Sequence, residues 1–140
     1  MSKSVKEPAR ELEVLAEADV VVAGGGPSGF PAAVAAARTG ATTVLIEHYG
    51  FLGGMATAGL IGPILGHRAH ESNRAILGGI PREVCERLHD YDAAPRWEDA
   101  LEDWGVRFQP EVLKAVLDQI VYEAGVTVIL HAFVADVLIE

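Results

Sequence analysis

One stretch constrains the fold more than any other, and it runs from Asp19 to Glu47. The apolar segment Val20–Ala23 is typical of a strand that is buried on both faces of a parallel sheet. A second apolar segment, Thr43–Ile46, is followed directly by the acid Glu47. Between the two segments, small residues form a helical pattern after three glycines in the spacing G-x-G-x-x-G: Gly24, Gly26 and Gly29. This order predicts a strand, turn, helix and strand in an α/β fold.

The glycine turn has the features of a dinucleotide-binding turn. Gly24 would make the tight turn, Gly26 would let the backbone approach a pyrophosphate, and Gly29 would let the helix pack closely on the strand. The helix N-terminus would offer unpaired N–H groups to the phosphate. Glu47 could accept hydrogen bonds from both ribose hydroxyls and would repel a 2′-phosphate. We therefore predict binding of a dinucleotide or its adenosine half; a turn that binds nothing would not explain Glu47.

Composition narrows the class of protein. The chain has 140 residues, 50% of them hydrophobic, which is enough for one domain with a core. A net charge of −9 argues against nucleic-acid binding, because phosphates would be repelled. Cys85 is the only cysteine, so no internal disulfide can form and a reducing compartment is favoured. With neither an apolar signal core nor a long apolar run, the sequence predicts a cytoplasmic protein without a membrane partner.

The remaining elements follow from periodicity and from breaker residues. Residues 1–17 are polar and predict an N-terminal arm, with residues 18–140 forming the folded part. The first helix is predicted from Pro27 to Thr39, although Pro31 would remove a donor if it lay beyond the first turn. Residues 90–105 show no clear period and predict a surface excursion. The other predicted elements are two helices and two strands, at Pro81–His89, Pro110–Glu123, Val126–Leu130 and Ala132–Ile139.

The segment that follows Glu47 is rich in glycine and yet apolar. Residues 48–66 match neither a regular helix nor a strand, and flexible linkers tend to be more polar than this. We interpret the segment as a second wall of the cofactor site. The alternative is a buried crossing packed beneath other elements.

Three motifs occur together along the chain. They are the glycine turn, the pattern E-x-x-x-x-x-GG-M-A-T from Glu47 to Thr57, and the pattern F-x-P-E-x-L-K from Phe108 to Lys114. Together they resemble the N-terminal part of the FAD-dependent oxidoreductase family, which has the glutathione-reductase-type FAD-binding fold. The tail EAGVTVILHAFVADV is also similar to the family pattern, so the resemblance covers about residues 18–138.

The resemblance implies a Rossmann-like FAD/NAD(P)-binding fold, a parallel sheet with flanking helices, and FAD as the cofactor. The first glycine turn would cradle the FAD pyrophosphate, and Glu47 would hold the adenosine ribose. The second glycine segment would lie along the pyrophosphate and ribityl chain, with Met55 and Ala56 nearer the isoalloxazine. The backbone of Val134 would meet the adenine edge. The implied cofactor-binding residues are Gly24, Gly26, Pro27, Ser28, Gly29, Glu47, Gly53, Gly54, Met55, Ala56, Thr57 and Val134.

Members of the resembled family continue beyond this length, so the fold is expected to be incomplete at the C-terminus and to lack a substrate domain. The predicted final strand would have an unpaired edge, which a homo-oligomer or a missing C-terminal half would cover. The function implied is the FAD-binding portion of an oxidoreductase acting on a small molecule. The alternatives are a non-catalytic NAD- or ADP-binding module and an inactive truncated flavoprotein.

No residue stands out as a general base, so no catalytic residue is predicted. His67 and His70 lack a carboxylate or cysteine partner at fixed spacing, which favours solvated loop histidines over a metal site. Cys85 is expected to be a buried structural thiol. Trp97 and Trp104 are interpreted as packing residues, because their acidic setting does not suit base stacking.

Overall fold

The computed structural model of the chain describes residues 3–5, 8–9, 11–72 and 74–139. The strands are β1 (Val20–Ala23), β2 (Thr43–Ile46) and β3 (Thr127–Ile129). The helices are α1 (Gly29–Arg38), α2 (Ile80–Asp90), α3 (Trp97–Ala100) and α4 (Pro110–Glu123), and one 3-10 turn spans Gly54–Ala56. The described part of the predicted N-terminal arm is exposed and carries no helix or strand.

The three strands form one parallel sheet in the order β1-β2-β3. Leu45, in the central strand, lies opposite Val22 on one side and Val128 on the other. The first three residues of β2 are buried, as expected for a strand covered on both faces. The predicted bounds of β1 and β2 are therefore confirmed, and both strands run toward the edge where the glycine turn lies. The prediction that Val20–Ala23 is buried on both faces is wrong, because β1 is an edge strand and Val21 is 59% exposed.

The hydrophobic core lies between the sheet and the helices. Val34 of α1, Leu45 of β2 and Ile120 of α4 are fully buried and belong to one cluster. Burying a side chain of this size contributes about 1.5–3 kcal/mol. The apolar stripe of α4 faces this core, as its periodicity predicts, and its buried members are Leu113, Val116, Leu117, Ile120 and Val121. Since α1 packs on both β1 and β2, the core fixes the direction in which the start of α1 points.

Helix α1 begins two residues later than the sequence predicts, at Gly29 with Ser28 as its N-cap. Pro31 is therefore the third residue of the helix. The first N–H groups of a helix have no intrahelical acceptor, so a proline here loses no hydrogen bond. The unusual proline is compatible with the helix because the helix starts late.

An ion-pair cluster joins the outer surfaces of three helices. Glu83 of α2 binds Arg38 of α1 at 2.7 Å and Arg87 of α2 at 2.8 Å. Arg87 also binds Glu123 near the end of α4. The guanidinium of Arg38 is the main reason why the pKa of the Glu83 carboxyl lies below its ordinary value. The cluster lies away from the glycine turn, at the opposite end of α1.

Several predictions for the second half of the chain are wrong. Residues 90–105 are not merely a surface excursion, because they contain α3 and bury Trp97 to 2% exposure. Residues Ala132–Ile139 form no strand, since none of the described residues pairs with them as a neighbouring strand, and most of their large apolar side chains are exposed. The strand predicted at Val126–Leu130 is shorter, covering only β3. Within the described residues, no helix has both the length and the apolar character needed to cross a bilayer.

Candidate functional site

The turn between β1 and α1 is closed by backbone contacts. Gly24 has a φ of +94°, which favours glycine, and its N–H donates to the Ile46 carbonyl at 2.7 Å. Gly29 lies directly against the same turn, and a Cβ built on it would be 1.7 Å from the Gly24 carbonyl oxygen. No larger residue fits at position 29 without opening the turn. The close packing of helix on strand that the sequence predicts for Gly29 is therefore present.

The start of α1 presents backbone donors. Among the described residues, the N–H groups of Gly26, Ser28 and Gly29 make no hydrogen bond. The first turn of α1 itself contains no acidic residue to pair with the positive end of the helix dipole. Unpaired donors and a positive dipole end together fit an anion such as a phosphate.

Glu47 lies at the end of β2, buried to 5% exposure beside the glycine turn. Its Oε2 accepts a hydrogen bond from the Gly25 N–H at 2.6 Å, and its Oε1 accepts one from the Tyr49 N–H at 2.8 Å. A carboxylate has about four lone-pair positions, so each oxygen keeps one for a further donor. The acid thus fits a ribose diol while it also holds the turn. The spacing of the motif does not predict the contact with Gly25, which occupies the variable position between Gly24 and Gly26.

The second glycine segment crosses the first. The Gly53 N–H donates to the Gly25 carbonyl at 2.8 Å. A Cβ on Gly54 would lie 2.9 Å from the Cα of Gly26, so the two backbones touch where the segments cross. The Thr57 hydroxyl donates to the Leu52 carbonyl at 2.7 Å and closes the loop around the double glycine. The predicted second wall is therefore in contact with the first glycine segment.

An apolar cavity of about 170 Å³ opens beside this crossing. The beginnings of α1 and α2 and the first turns of α4 form its walls. Ala56 lines it, whereas Met55 is 56% exposed and points to the outside of the 3-10 turn. The other lining residues are Gly26, Pro27, Phe30, Pro31, Gly53, Ile64, Leu77, Ile80, Pro81, Val84, Leu113 and Leu117.

Val134 lies in the segment after β3. Two hydrogen bonds join this segment to the residues after β2, from the Ala132 N–H to the Glu47 carbonyl at 3.0 Å and from the His131 N–H to the Tyr49 carbonyl at 3.1 Å. Phe133 packs edge-on against His48 at 5.7 Å between ring centres. The segment therefore lies at the Glu47 end of the site, and no backbone hydrogen bond joins Val134 to the other predicted residues in the described part of the chain.

The histidine, cysteine and tryptophan residues considered as alternative sites lie outside the glycine segments. His67 is fully buried rather than solvated, because its ring packs against Trp97 and its Nε2 lies 2.6 Å from the Ala100 carbonyl. Cys85 is buried as predicted, and burial raises the pKa of its thiol to about 12. Trp104 is 57% exposed, so its prediction as a packing residue is wrong. The described part of the chain holds no group of three or more potential metal ligands.

The chain is similar to several solved structures at low sequence identity. The THI4 protein of Thermovibrio ammonificans matches with a TM-score of 0.50 and 20% identity, covering 81% of this chain and 38% of that one. A 3-ketosteroid-Δ4-(5α)-dehydrogenase from Rhodococcus jostii RHA1 matches with a TM-score of 0.46 and 19% identity, covering 85% and 38%. The myxobacterial chondrochloren halogenase CndH matches with a TM-score of 0.45 and 21% identity, covering 88% and 30%. The chain thus spans well under half the length of these proteins.

The architecture is the Rossmann-like FAD/NAD(P)-binding fold, with a parallel sheet and flanking helices, as the sequence predicts. No curated protein sequence matches the chain. The family model described as FAD dependent oxidoreductase matches residues 19–140, which is most of the sequence. The chain therefore belongs to the FAD dependent oxidoreductase family, and its cofactor is FAD.

Proposed function

We propose that the chain is the FAD-binding portion of a flavin-dependent oxidoreductase, with the FAD pyrophosphate on the glycine turn and the adenosine ribose on Glu47. One observation carries the proposal. The buried Glu47 carboxylate is hydrogen-bonded to the Gly25 N–H, within the same turn that offers three unpaired backbone donors at the start of α1. A phosphate site and a diol acceptor therefore lie within one connected unit.

In this arrangement the N–H groups of Gly26, Ser28 and Gly29 donate to the phosphate oxygens. Pro27 carries no N–H of its own and stiffens the turn between them. A Cβ on Gly26 would have its nearest neighbour at 3.8 Å, so position 26 borders open space that a phosphate would fill. Donors to a charged acceptor form stronger hydrogen bonds than neutral pairs, and the dipole of α1 adds to the attraction.

Glu47 selects the sugar. Its free lone pairs would accept the 2′- and 3′-hydroxyl protons of the ribose, while its charge would repel a 2′-phosphate. The Gly25 and Tyr49 N–H groups hold the carboxylate in place before the ligand arrives. FAD and NAD both satisfy this requirement, whereas NADP does not.

The second glycine segment is proposed to follow the cofactor away from the ribose. Gly53, Gly54 and Thr57 would lie along the pyrophosphate and ribityl chain, with Met55 and Ala56 nearer the isoalloxazine. The backbone of Val134, beyond β3, would meet the adenine edge. Bound FAD supplies the electron-transfer chemistry, and the chain binds it, orients it and excludes water from it.

We also propose a small-molecule substrate and a cytoplasmic location. The net charge of −9 disfavours a nucleic-acid partner, and a single cysteine suits a reducing compartment. The exposed apolar side chains after β3 would be covered by a second copy or by further chain. Gel filtration with light scattering tests whether these apolar side chains are covered by a partner. A monodisperse, FAD-loaded monomer would contradict this proposal.

The cofactor assignment is tested by titrating the purified chain with FAD, ADP and NAD. We expect a yellow protein, or one that becomes yellow with FAD and releases a flavin spectrum on heating. FAD should bind more tightly than ADP, because the flavin half adds contacts with the second glycine segment. Equal affinities for FAD, ADP and NAD would instead favour a non-catalytic nucleotide-binding module.

The role of Glu47 is tested by NAD and NADP as competitors of FAD, because these two molecules differ only in the 2′-phosphate. The wild-type chain should prefer NAD by about tenfold or more, which corresponds to roughly 1.4 kcal/mol. Glu47→Gln keeps the size of the side chain and removes the charge, so it should reduce this ratio. A ratio that stays the same in the variant would rule out the ribose assignment, whatever the variant does to stability.

A further inference from the structure

Lys114 is the basic residue of the first turns of α4, and it lies over an aromatic ring. Its Nζ is 4.0 Å from the centre of the Phe51 ring, a distance typical of a cation–π contact. The Tyr49 ring stacks on the Phe51 ring, with 5.9 Å between the ring centres and 13° between the planes. Lys114, Phe51 and Tyr49 therefore form one cluster. The Lys114 side chain is only 22% exposed, so its charge is partly shielded from water.

This cluster joins α4 to the segment that leads from Glu47 to the double glycine. Phe51 precedes the double glycine by two residues, and Tyr49 donates its N–H to the Glu47 carboxylate at 2.8 Å. Leu113, the neighbour of Lys114, lines the apolar cavity together with Gly26 and Gly53. The first turns of α4 therefore border the cavity beside the crossing of the two glycine segments, and Lys114 contacts Phe51, two residues before the double glycine.

The glycine turn itself brings no cation to that place. The only basic residue of α1 is Arg38, at the far end of the helix, where it is paired with Glu83. A pyrophosphate carries two negative charges into a protein whose own net charge is −9. The helix dipole supplies only about half of one positive charge. A nearby ammonium group would thus supply most of the missing compensation.

The existing partner of Lys114 leaves its ammonium group available. Glu111 accepts a hydrogen bond from Nζ at 2.7 Å, but the Glu111 side chain is 80% exposed. Ion pairs in water add little stability, and an ammonium group has three protons to donate. Phosphate oxygens can therefore be bound while the Glu111 contact is kept or given up.

We propose that Lys114 is a cofactor-binding residue whose ammonium group contacts the pyrophosphate of FAD, and that Phe51 is the residue that positions it. The inference rests on the proposed function, because it needs the pyrophosphate at the glycine turn. It assigns to α4 a direct part in binding, beyond its packing role in the core.

The test uses the whole chain and compares ADP with adenosine, which lacks the phosphates. Lys114→Met should weaken the binding of ADP and FAD about tenfold, the usual effect of losing one charge-assisted hydrogen bond, and should leave adenosine binding unchanged. It should also reduce the salt dependence of ADP binding, because one cation is lost. Lys114→Arg should keep most of the affinity. Arg96→Gln is the matched control, since it removes an exposed charge on the opposite side of α2 and should change nothing.

Positioning by Phe51 has its own readout. Phe51→Leu should weaken ADP binding in the wild-type chain but not in the Lys114→Met background, because no ammonium is left to position. Unchanged ADP affinity in Lys114→Met overturns the proposal, as does an equal loss for ADP and adenosine or an equal loss in Arg96→Gln. Failure of the proposed function is a different result, since the wild-type chain would then bind neither ADP nor FAD.

Discussion

Two alanine substitutions in the glycine turn should separate its packing role from its cofactor role. At Gly29 a Cβ would be 1.7 Å from the Gly24 carbonyl oxygen, and 2.9 Å from the carbon of the same group. Both neighbours are backbone atoms that cannot rotate away. At Gly26 the nearest atom to a new Cβ would be the Gly54 Cα at 3.8 Å, which is an ordinary contact. The two positions are three residues apart and differ sharply in the space around them.

The expected energies follow from these distances. Forcing a methyl group into a filled site costs about 1–3 kcal/mol, against a gain of at most about 1 kcal/mol from replacing glycine within a helix. Gly29→Ala should therefore lower the free energy of unfolding by about 1–2 kcal/mol. Gly26→Ala should change it by less than about 0.5 kcal/mol, since no contact is violated. Its methyl group would occupy the space proposed for the phosphate and should weaken FAD binding tenfold or more, roughly 1.4 kcal/mol.

Urea unfolding without cofactor and FAD titration by fluorescence quenching measure the two effects separately. The reasoning requires Gly29→Ala to shift the urea midpoint and Gly26→Ala to leave it in place while losing FAD affinity. A stable Gly29→Ala variant would show that the turn yields more easily than its backbone contacts indicate. Normal FAD binding by Gly26→Ala would show that the pyrophosphate does not approach this residue.

Three further effects should be measurable. Leu45→Ala removes a fully buried side chain from the central strand and should lower the free energy of unfolding by about 2–5 kcal/mol in urea; a smaller change would contradict the burial. Cys85, whose pKa burial raises to about 12, should react with a thiol reagent at pH 8 only after unfolding, and rapid native labelling would exclude this. Because Arg38 lowers the pKa of Glu83, the stability from this pair should be complete above the ordinary pKa of 4.5 and decline as the pH falls toward the lowered value; Arg38→Met should flatten the acid limb of the stability profile.

The first half of the fold could be predicted because its signals are local. Apolar runs of four residues gave β1 and β2 with their observed bounds, and the stripe in Pro110–Glu123 gave α4. These elements are determined by the spacing of apolar residues and by the glycines and prolines that end each element, and both can be seen in the sequence. The glycine turn could also be predicted, because its spacing has a steric cause. At Gly29 the helix packs so closely on the turn that no side chain fits.

The parts that sequence did not predict depend on contacts between distant residues. Apolar and polar residues alternate in 132–139, as they do in a strand. A strand also needs a neighbouring strand, and none of the described residues pairs with this segment. His67 looked like a solvated residue, although it is buried against α3, which comes about thirty positions later in the chain. The contact of Lys114 with Phe51 joins residues more than sixty positions apart. Periodicity within one element carries no information about such pairs.

Glu47 links folding to recognition. Its carboxylate accepts the Gly25 N–H and the Tyr49 N–H, while the Gly25 carbonyl accepts the Gly53 N–H. One acid therefore ties the first glycine segment to the residues after β2, and through Gly25 to the double glycine. A site held in this way loses less conformational entropy when its ligand binds than one that must be assembled on binding. The same bonds imply that a substitution at Glu47 affects both stability and affinity. A general loosening of the turn would weaken NAD and NADP binding equally, so it cancels in the ratio of the two affinities. This ratio therefore isolates the contact between Glu47 and the ribose better than the affinity for FAD does.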